Sequence, residues 1–511
     1  MAIYWILSEL IYILIFIIIG IYLYYKFYIC NYWSKRGIPF EKPKYFIEKI
    51  LDIVCNRKTF GEIFAEMYFE YKKFPYVGIF MAHSPNLLIN DPELIRFVLV
   101  EEFSNFQDRG LYINENDDPL TGNLFLLTGK KWRTMRTNFA TSFSNAKLKN
   151  CMFEIFLDKG YVMEEVLADK AKNKSEINVK DIGSCFFIDL IMAVAYGIES
   201  NCLEDSKSEF AQWGRTMFKS KPFRTTLLLF IPKLFDILPI KYNHKNVTKL
   251  FLKTFKATIE YRKMNNIVKN DLLNLIMQMM DDGYVEYDRE RSDEQKEIKK
   301  LTVLEGAAHF FGYIIGGYES PSTTISFCLY ELALNQEIQH KARKEIDTII
   351  EKHNGITYDA INEMSYLQMV ILETLRKYPT LPVMSRVCNK DIQLANYNVV
   401  VPKGTKILIP TLGIQRNPEY YPEPDKFIPE RFSEEEIRSR HKYIYLPFGE
   451  GPRICPGLRY GIVALKVALV NALRKYEYSP GTNTPTKISY VKGSFTLGPE
   501  NGMYLQIQLR K

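Results

Sequence analysis

The chain has 511 residues, 47% of them hydrophobic, with 67 basic side chains against 59 acidic ones and a formal net charge of +8. The apolar content is ample for a large core. The modest, dispersed charge has no basic run paired with a nucleic-acid motif, so it argues against a nucleic-acid binder and suits a surface that docks an acidic protein or a membrane. Cys30, Cys55, Cys151, Cys185, Cys202, Cys328, Cys388 and Cys455 form no CxxC pair and no regular framework, which argues against a disulfide scaffold or structural zinc and for a reducing compartment.

From Met1 to Tyr25 the only charged side chain is Glu9, and Leu10 to Tyr25 is an unbroken apolar and aromatic run. With its flanks this is long enough to span a bilayer, so residues 1–28 are expected to be a transmembrane anchor. Lys26, Lys35 and Arg36 follow the run and no basic residue precedes it, which places the body on the cytosolic side. A cleaved secretory signal is disfavoured by the missing basic n-region and small-residue cleavage site. Residues 29–45, basic and carrying Pro39 and Pro43, read as a short stiff hinge, and 46–511 as the globular domain.

Strand-like pieces at Tyr76 to Met81 and Leu87 to Ile89 precede a long loop, Phe106 to Leu127, rich in Asn, Asp and Gly. A loop of that length inside a compact domain is often functional. Gly129 to Phe143 predicts a basic amphipathic helix carrying Trp132 and Arg136 four apart, therefore on one face. Residues 150–280 read as successive helices, including Cys185 to Tyr196 and an apolar segment around Leu227 to Ile240. Asp281 to Lys300 is charged without apolar period and is expected to be a surface loop.

Leu301 to about Asn335 predicts one long helix, roughly 50 Å at the α-helical rise. Its middle, Gly316-Gly317-Tyr318-Glu319-Ser320-Pro321, is a poor helix former, as expected of a kink that frees backbone groups to bind something else. Glu373 and Arg376 lie three apart on a later helix, followed by Tyr378-Pro379 and by Pro429-Glu430-Arg431-Phe432. Thr380 to Leu408 has strand character, and Tyr490 to Leu509 alternates around a Gly-Pro-Glu-Asn-Gly turn as a hairpin would.

Pro447 to Gly457 presents one thiol, Cys455, from a stiff turn rich in glycine and proline, and an apolar helix follows from Leu458. A thiol at a helix N-terminus meets the positive end of the dipole and unpaired N–H groups, which favour the metal-ligating thiolate. The spacing Phe448-x-x-Gly451-x-Arg453-x-Cys455-x-Gly457 resembles the haem-binding loop of the cytochrome P450 family, and the other motifs fall in that family's order over essentially the whole chain.

The resemblance implies a mainly α fold with a minor β region and haem b, iron protoporphyrin IX, as cofactor. Cys455 would be the axial iron ligand, with Phe448 beside the sulfur. Arg453, Trp132, Arg136, Arg386 and Arg109 would meet the haem propionates. Gly316 and Gly317 would leave room over the haem, while Glu319 and Ser320 would form the acid and alcohol that relay protons to dioxygen. Ser320 stands where the family most often has Thr; it keeps the hydroxyl but lacks the rotamer-restricting methyl. Glu373, Arg376 and Arg431 would make a buried structural triad.

The expected activity is insertion of one oxygen atom of O2 into a lipophilic substrate, as in insect microsomal members that metabolise xenobiotics. Electrons would come from NADPH through a separate flavoprotein reductase, with cytochrome b5 as a further donor, because the chain has no flavin or dinucleotide fingerprint. The expected location is the endoplasmic reticulum membrane. Two other readings are a biosynthetic hydroxylase of an endogenous lipid or hormone and a non-catalytic haem-thiolate sensor.

Overall fold

The computed structural model describes residues 2–41, 49, 51–81, 84–140, 142–173, 175–217, 222–230, 241–286 and 298–510. The N-terminal helix Ala2–Tyr24 is apolar apart from Ser8 and Glu9, and among the described residues one helical stretch, Ile11–Arg36, is long and apolar enough to cross a bilayer. The expected hinge is described as far as Glu41. Over that part it packs on the body: Trp33 is fully buried, its indole N–H donates to Ile79 O at 3.1 Å, and a Cβ on Gly78 would meet the Trp33 ring at 2.4 Å.

Four strands form the larger sheet in the order Tyr76–Met81, Ser84–Ile89, Lys406–Ile409, Met384–Val387, with the central pair parallel and the outer pairs antiparallel. A second sheet joins Tyr476–Ser479, Tyr504–Leu509 and Glu176–Asn178. Residues 490–509 therefore do not make the expected two-stranded hairpin. Tyr490 and Pro499 share only an isolated bridge, and the strand beyond Gly502 takes its partners from elsewhere.

The long helix Val303–Leu334 runs through the middle of the molecule, begins at a Thr302/Glu305 capping box and stays helical across Pro321. Proline there lacks the N–H that would bond the Gly317 carbonyl, so the local defect is a freed acceptor within a continuous helix. Helix Val179–Tyr196 lies close along it. Gly183 meets Ile325 and Gly317 meets Ile191, each at 2.7 Å from a would-be Cβ, so larger residues would force the helices apart.

The thiol helix, Leu458–Leu473, closes the core from the opposite side and is buried from Val463 onward. The roof loop 106–127 is irregular apart from a turn at Pro119–Thr121. It is tied down by Asp118, which accepts from the Asn243 backbone and side-chain N–H groups, both at 2.9 Å. Of the segments read from sequence, 42–45, 231–240 and 287–297 lie outside the described residues.

Candidate functional site

The thiol loop is built by backbone conformations open to glycine. Gly449 and Gly451 have φ of +70° and +72°, and a Cβ on Gly451 would lie 2.0 Å from the Leu99 carbonyl oxygen. The Cys455 N–H donates to Phe448 O at 2.9 Å, folding the loop back under its own sulfur. Around Cys455 there is room. No neighbour comes within 4 Å of a Cβ built on Gly457 or Gly461, nor on Gly316, which is exposed although it sits mid-way along a largely buried helix. Open space, the slot, thus borders both the thiol loop and the long helix, whose Tyr313 lies within electrostatic reach of Cys455.

Arginines line its edge. Arg453 donates to Gln107 O at 3.0 Å and Leu127 O at 2.7 Å, pinning the thiol loop to both ends of the roof loop, and its guanidinium lies 4.0 Å over the Trp132 ring. Arg136, from the same helix as Trp132, donates to Ile454 O at 3.1 Å, and Arg109 donates to Phe125 O at 2.7 Å. Arg386 donates to Ser385 O at 2.8 Å but leaves its buried Nε–H without a partner. Against these four cations stands Asp108, 3.6 Å from Arg453.

The crowding registers in their acidities. Burial, then the charges of Arg386 and Arg453, push Arg109 well below the usual arginine range. Burial brings Arg386 down to about 10, and burial followed by Arg386 brings Arg453 down to about 9. At Cys455 burial raises the thiol, opposed by the Gly457 N–H and then by Arg136 and Arg109. The loop and arginines alone therefore do not make the thiolate; a coordinated cation would, since a metal-bound thiol is deprotonated outright. Open space beside one thiol, an orphaned guanidinium N–H and excess positive charge fit a group that carries a metal cation and two carboxylates, as haem does.

Above the slot, Ser320 is half-buried one turn from Gly316. Glu319 is buried and engaged elsewhere: its carboxylate takes Lys180 Nζ at 3.3 Å and Thr323 Oγ1 at 3.2 Å, while Lys180 also reaches Ser322 and Thr323 at 2.9 and 2.8 Å. Gly317 faces Ile191 rather than the slot. Lys180 carries no motif, so nothing in the sequence announced it; it sits just inside the N-terminus of the helix packed on the long one. Asp108 and Gln107 could have been suspected only from their adjacency to Arg109.

Away from the slot, Glu373, Arg376 and Arg431 converge. Arg376 makes a two-pronged pair with Glu373 at 2.6 and 2.8 Å, both fully buried, and Arg431 Nε lies 3.5 Å from the same carboxylate. On the basic helix Gly129–Asn138, Lys130 pairs with Glu286, Lys131 with Glu115 and Glu305, and Arg133 with Gln107, so much of that positive face is met by the protein's own groups.

A helical body with a single thiol under an arginine-lined slot defines the haem-thiolate class of protein. The profile of the family described as Cytochrome P450 matches residues 39–505. Probable cytochrome P450 6a14 of Drosophila melanogaster is 36% identical over 499 residues, covering 94% of this chain and 96% of that protein. Cytochrome P450 6A1 of Musca domestica is 35% identical, covering 95% of each, and cytochrome P450 6k1 of Blattella germanica is 34% identical, covering 98% of this chain and 97% of its own length. The chain belongs to the cytochrome P450 family and is a monooxygenase of that family.

Proposed function

We propose that this protein inserts one oxygen atom of O2 into a lipophilic xenobiotic, such as a plant toxin or insecticide, with electrons passed from NADPH by a separate flavoprotein reductase and, as a further donor, cytochrome b5. In this reading residues 1–28 anchor it in the endoplasmic reticulum membrane with the body on the cytosolic face, and residues 46–511 form the haem domain. The anchor reading draws on the apolar N-terminal helix and the basic residues that follow it.

Cys455 would ligate haem iron beside Phe448. Arg109, Arg136, Arg386 and Arg453 would hold the propionates, with Trp132 supporting Arg453 from below. The bound group supplies dioxygen activation. Gly316 keeps the slot open, and the half-buried Ser320 hydroxyl can donate and accept where protons are needed. Glu319 would connect that hydroxyl to the Lys180 network as a proton reserve. A small apolar cluster of Tyr112 and Leu228, with Leu227, Tyr242 and Phe495 packed on it, brings the roof loop against the C-terminal turn and suits an uncharged, lipophilic ligand.

The observation that carries the reading is Cys455 beside open space edged by four arginines, with Asp108 as a nearby carboxylate. A haem-spectrum titration of the purified protein against a panel of lipophilic compounds tests it. Shifts with many unrelated ligands support the xenobiotic role, a tight response to one compound supports a biosynthetic hydroxylase, and absence of a thiolate-type haem spectrum refutes both. Failure to consume NADPH with reductase present supports the sensor.

A further inference from the structure

One stripe of the long helix is unlike the rest of the core. Glu305, His309 and Tyr313 are spaced four apart and so share a face. Glu305, at the outer end, is half-buried, caps the helix through Thr302 and pairs with Lys131 at 2.9 Å. His309 is 1% exposed and neither ring nitrogen has a partner; Tyr313 is 8% exposed and its hydroxyl has none. Tyr460 on the thiol helix and Ser142 repeat the pattern, each buried with an unpaired hydroxyl.

His309, Tyr313 and Tyr460 form one neighbourhood, and Ser142, whose backbone N–H donates to Phe139 O at 3.2 Å, adjoins it. The Phe139 ring is tilted 4.9 Å from His309 and edge-on 5.5 Å from Tyr313, and Phe143 lies 5.6 Å from Tyr313 and 5.2 Å from Tyr460. The inner end is close enough to the thiol for Tyr313, raised chiefly by burial, to feel the charges of Arg136 and Cys455. Burial also holds the His309 ring neutral, its pKa lowered to about 3, so one nitrogen is an empty acceptor and the other an unmet donor.

Leaving several buried polar atoms unmatched carries the full desolvation penalty of each, and phenylalanine would pack at the ring positions without that cost. Buried polar atoms of this kind are ordinarily matched by ordered water, each molecule needing about two to four partners. We propose that His309, Tyr313, Tyr460 and Ser142 line a hydrated pocket that forms a second proton entrance to the thiol slot, starting at Glu305 and separate from the Glu319–Lys180 network. Its purpose rests on the monooxygenase reading, in which substrate, O2, two electrons and two protons become hydroxylated product and one water. A proton accepted at one His309 nitrogen is matched by release from the other, which leaves the neutral ring with its tautomer exchanged, and the Tyr313 hydroxyl passes one inward in the same way.

The test has two readouts. A high-resolution structure of the haem-loaded wild-type protein should show ordered water bonded to His309 and to Tyr313; a dry pocket overturns the proposal. His309→Phe and Tyr313→Phe, with reductase and a turned-over substrate, should give about threefold less product per NADPH, with more peroxide and a larger solvent isotope effect. That loss is below the usual general acid–base contribution because the other entrance remains. Unchanged coupling in both variants overturns the relay. If neither variant folds, the wild-type solvent structure decides between a hydrated and a dry pocket. If the wild type makes no product from any substrate, the monooxygenase reading fails, while the water positions still report on the pocket itself.

Discussion

Arg376→Ala is the perturbation whose consequence can be worked most fully. Arg376 is fully buried, holds Glu373 with two hydrogen bonds, and donates to the carbonyls of Gln415 at 3.0 Å and Pro424 at 2.8 Å. Alanine removes all of these and strands a carboxylate whose remaining contacts are the Ile428 N–H at 3.0 Å and Arg431 at 3.5 Å. Breaking one side of a buried pair costs about 3–5 kcal/mol, because the survivor keeps its desolvation penalty. Since each kcal/mol shifts Tm by about 2–4 °C in domains of 150–250 residues, and less in longer chains, the expected fall is roughly 5 °C. The carbonyls of Gln415 and Pro424 belong to the segment leading into the thiol loop, so haem incorporation should fall as well. The assay is thermal unfolding together with the carbon monoxide difference spectrum per mole of protein. Glu373→Gln combined with Arg376→Met, which leaves no buried charge in that pair, should recover part of the loss. An Arg376→Ala protein with full haem content and an unchanged Tm would refute the reasoning.

Gly451→Ala should prevent haem loading, since it combines a left-handed backbone, costing about 1–2 kcal/mol for an L-residue, with a Cβ 2.0 Å from Leu99 O; a normal thiolate spectrum in that variant would show that the loop can shift. Ser320→Thr should raise product per NADPH and lower peroxide, because the added methyl restricts the hydroxyl's rotamers; unchanged coupling would remove the argument. Lys466 is 1% exposed, donates to Ile361 O at 3.0 Å and is lowered by burial to about 8. Its folded pKa is below the ordinary 10.5, so the unfolded chain binds more protons between about pH 8 and 10.5 and this residue's contribution to stability rises with pH across that window. Lys466→Met should therefore be more stable than wild type at pH 7, by on the order of 3 kcal/mol, with the advantage shrinking toward pH 10.5 in parallel urea titrations; an advantage independent of pH would mean packing, not charge, was relieved.

How much of this was legible in the sequence depended on the kind of signal each feature leaves. The Glu373–Arg376 pair was readable because a bidentate pair on a helix needs three-residue separation, and Cys455 and the arginines could be nominated because a tight turn needs Gly449 and Gly451 at short spacing from them. The strands at Tyr76 to Met81 and the helix ending at Tyr196 followed from apolar pattern. The 490–509 segment misled because alternation marks a strand without naming its partner, and its partners at Tyr476–Ser479 and Glu176–Asn178 are fixed by tertiary packing. The same limit governs the site. Lys180 bears on Glu319 only because glycines at 183 and 317 let two helices approach closely, and no spacing within either helix records that approach. Motif reading could nominate Glu319 as an acid; only the fold shows it already bound to a half-buried lysine. Moving a proton from Glu319 to Ser320 therefore requires a change in the Lys180 contact, whereas the unpaired groups at His309 and Tyr313 have no competing partner to release.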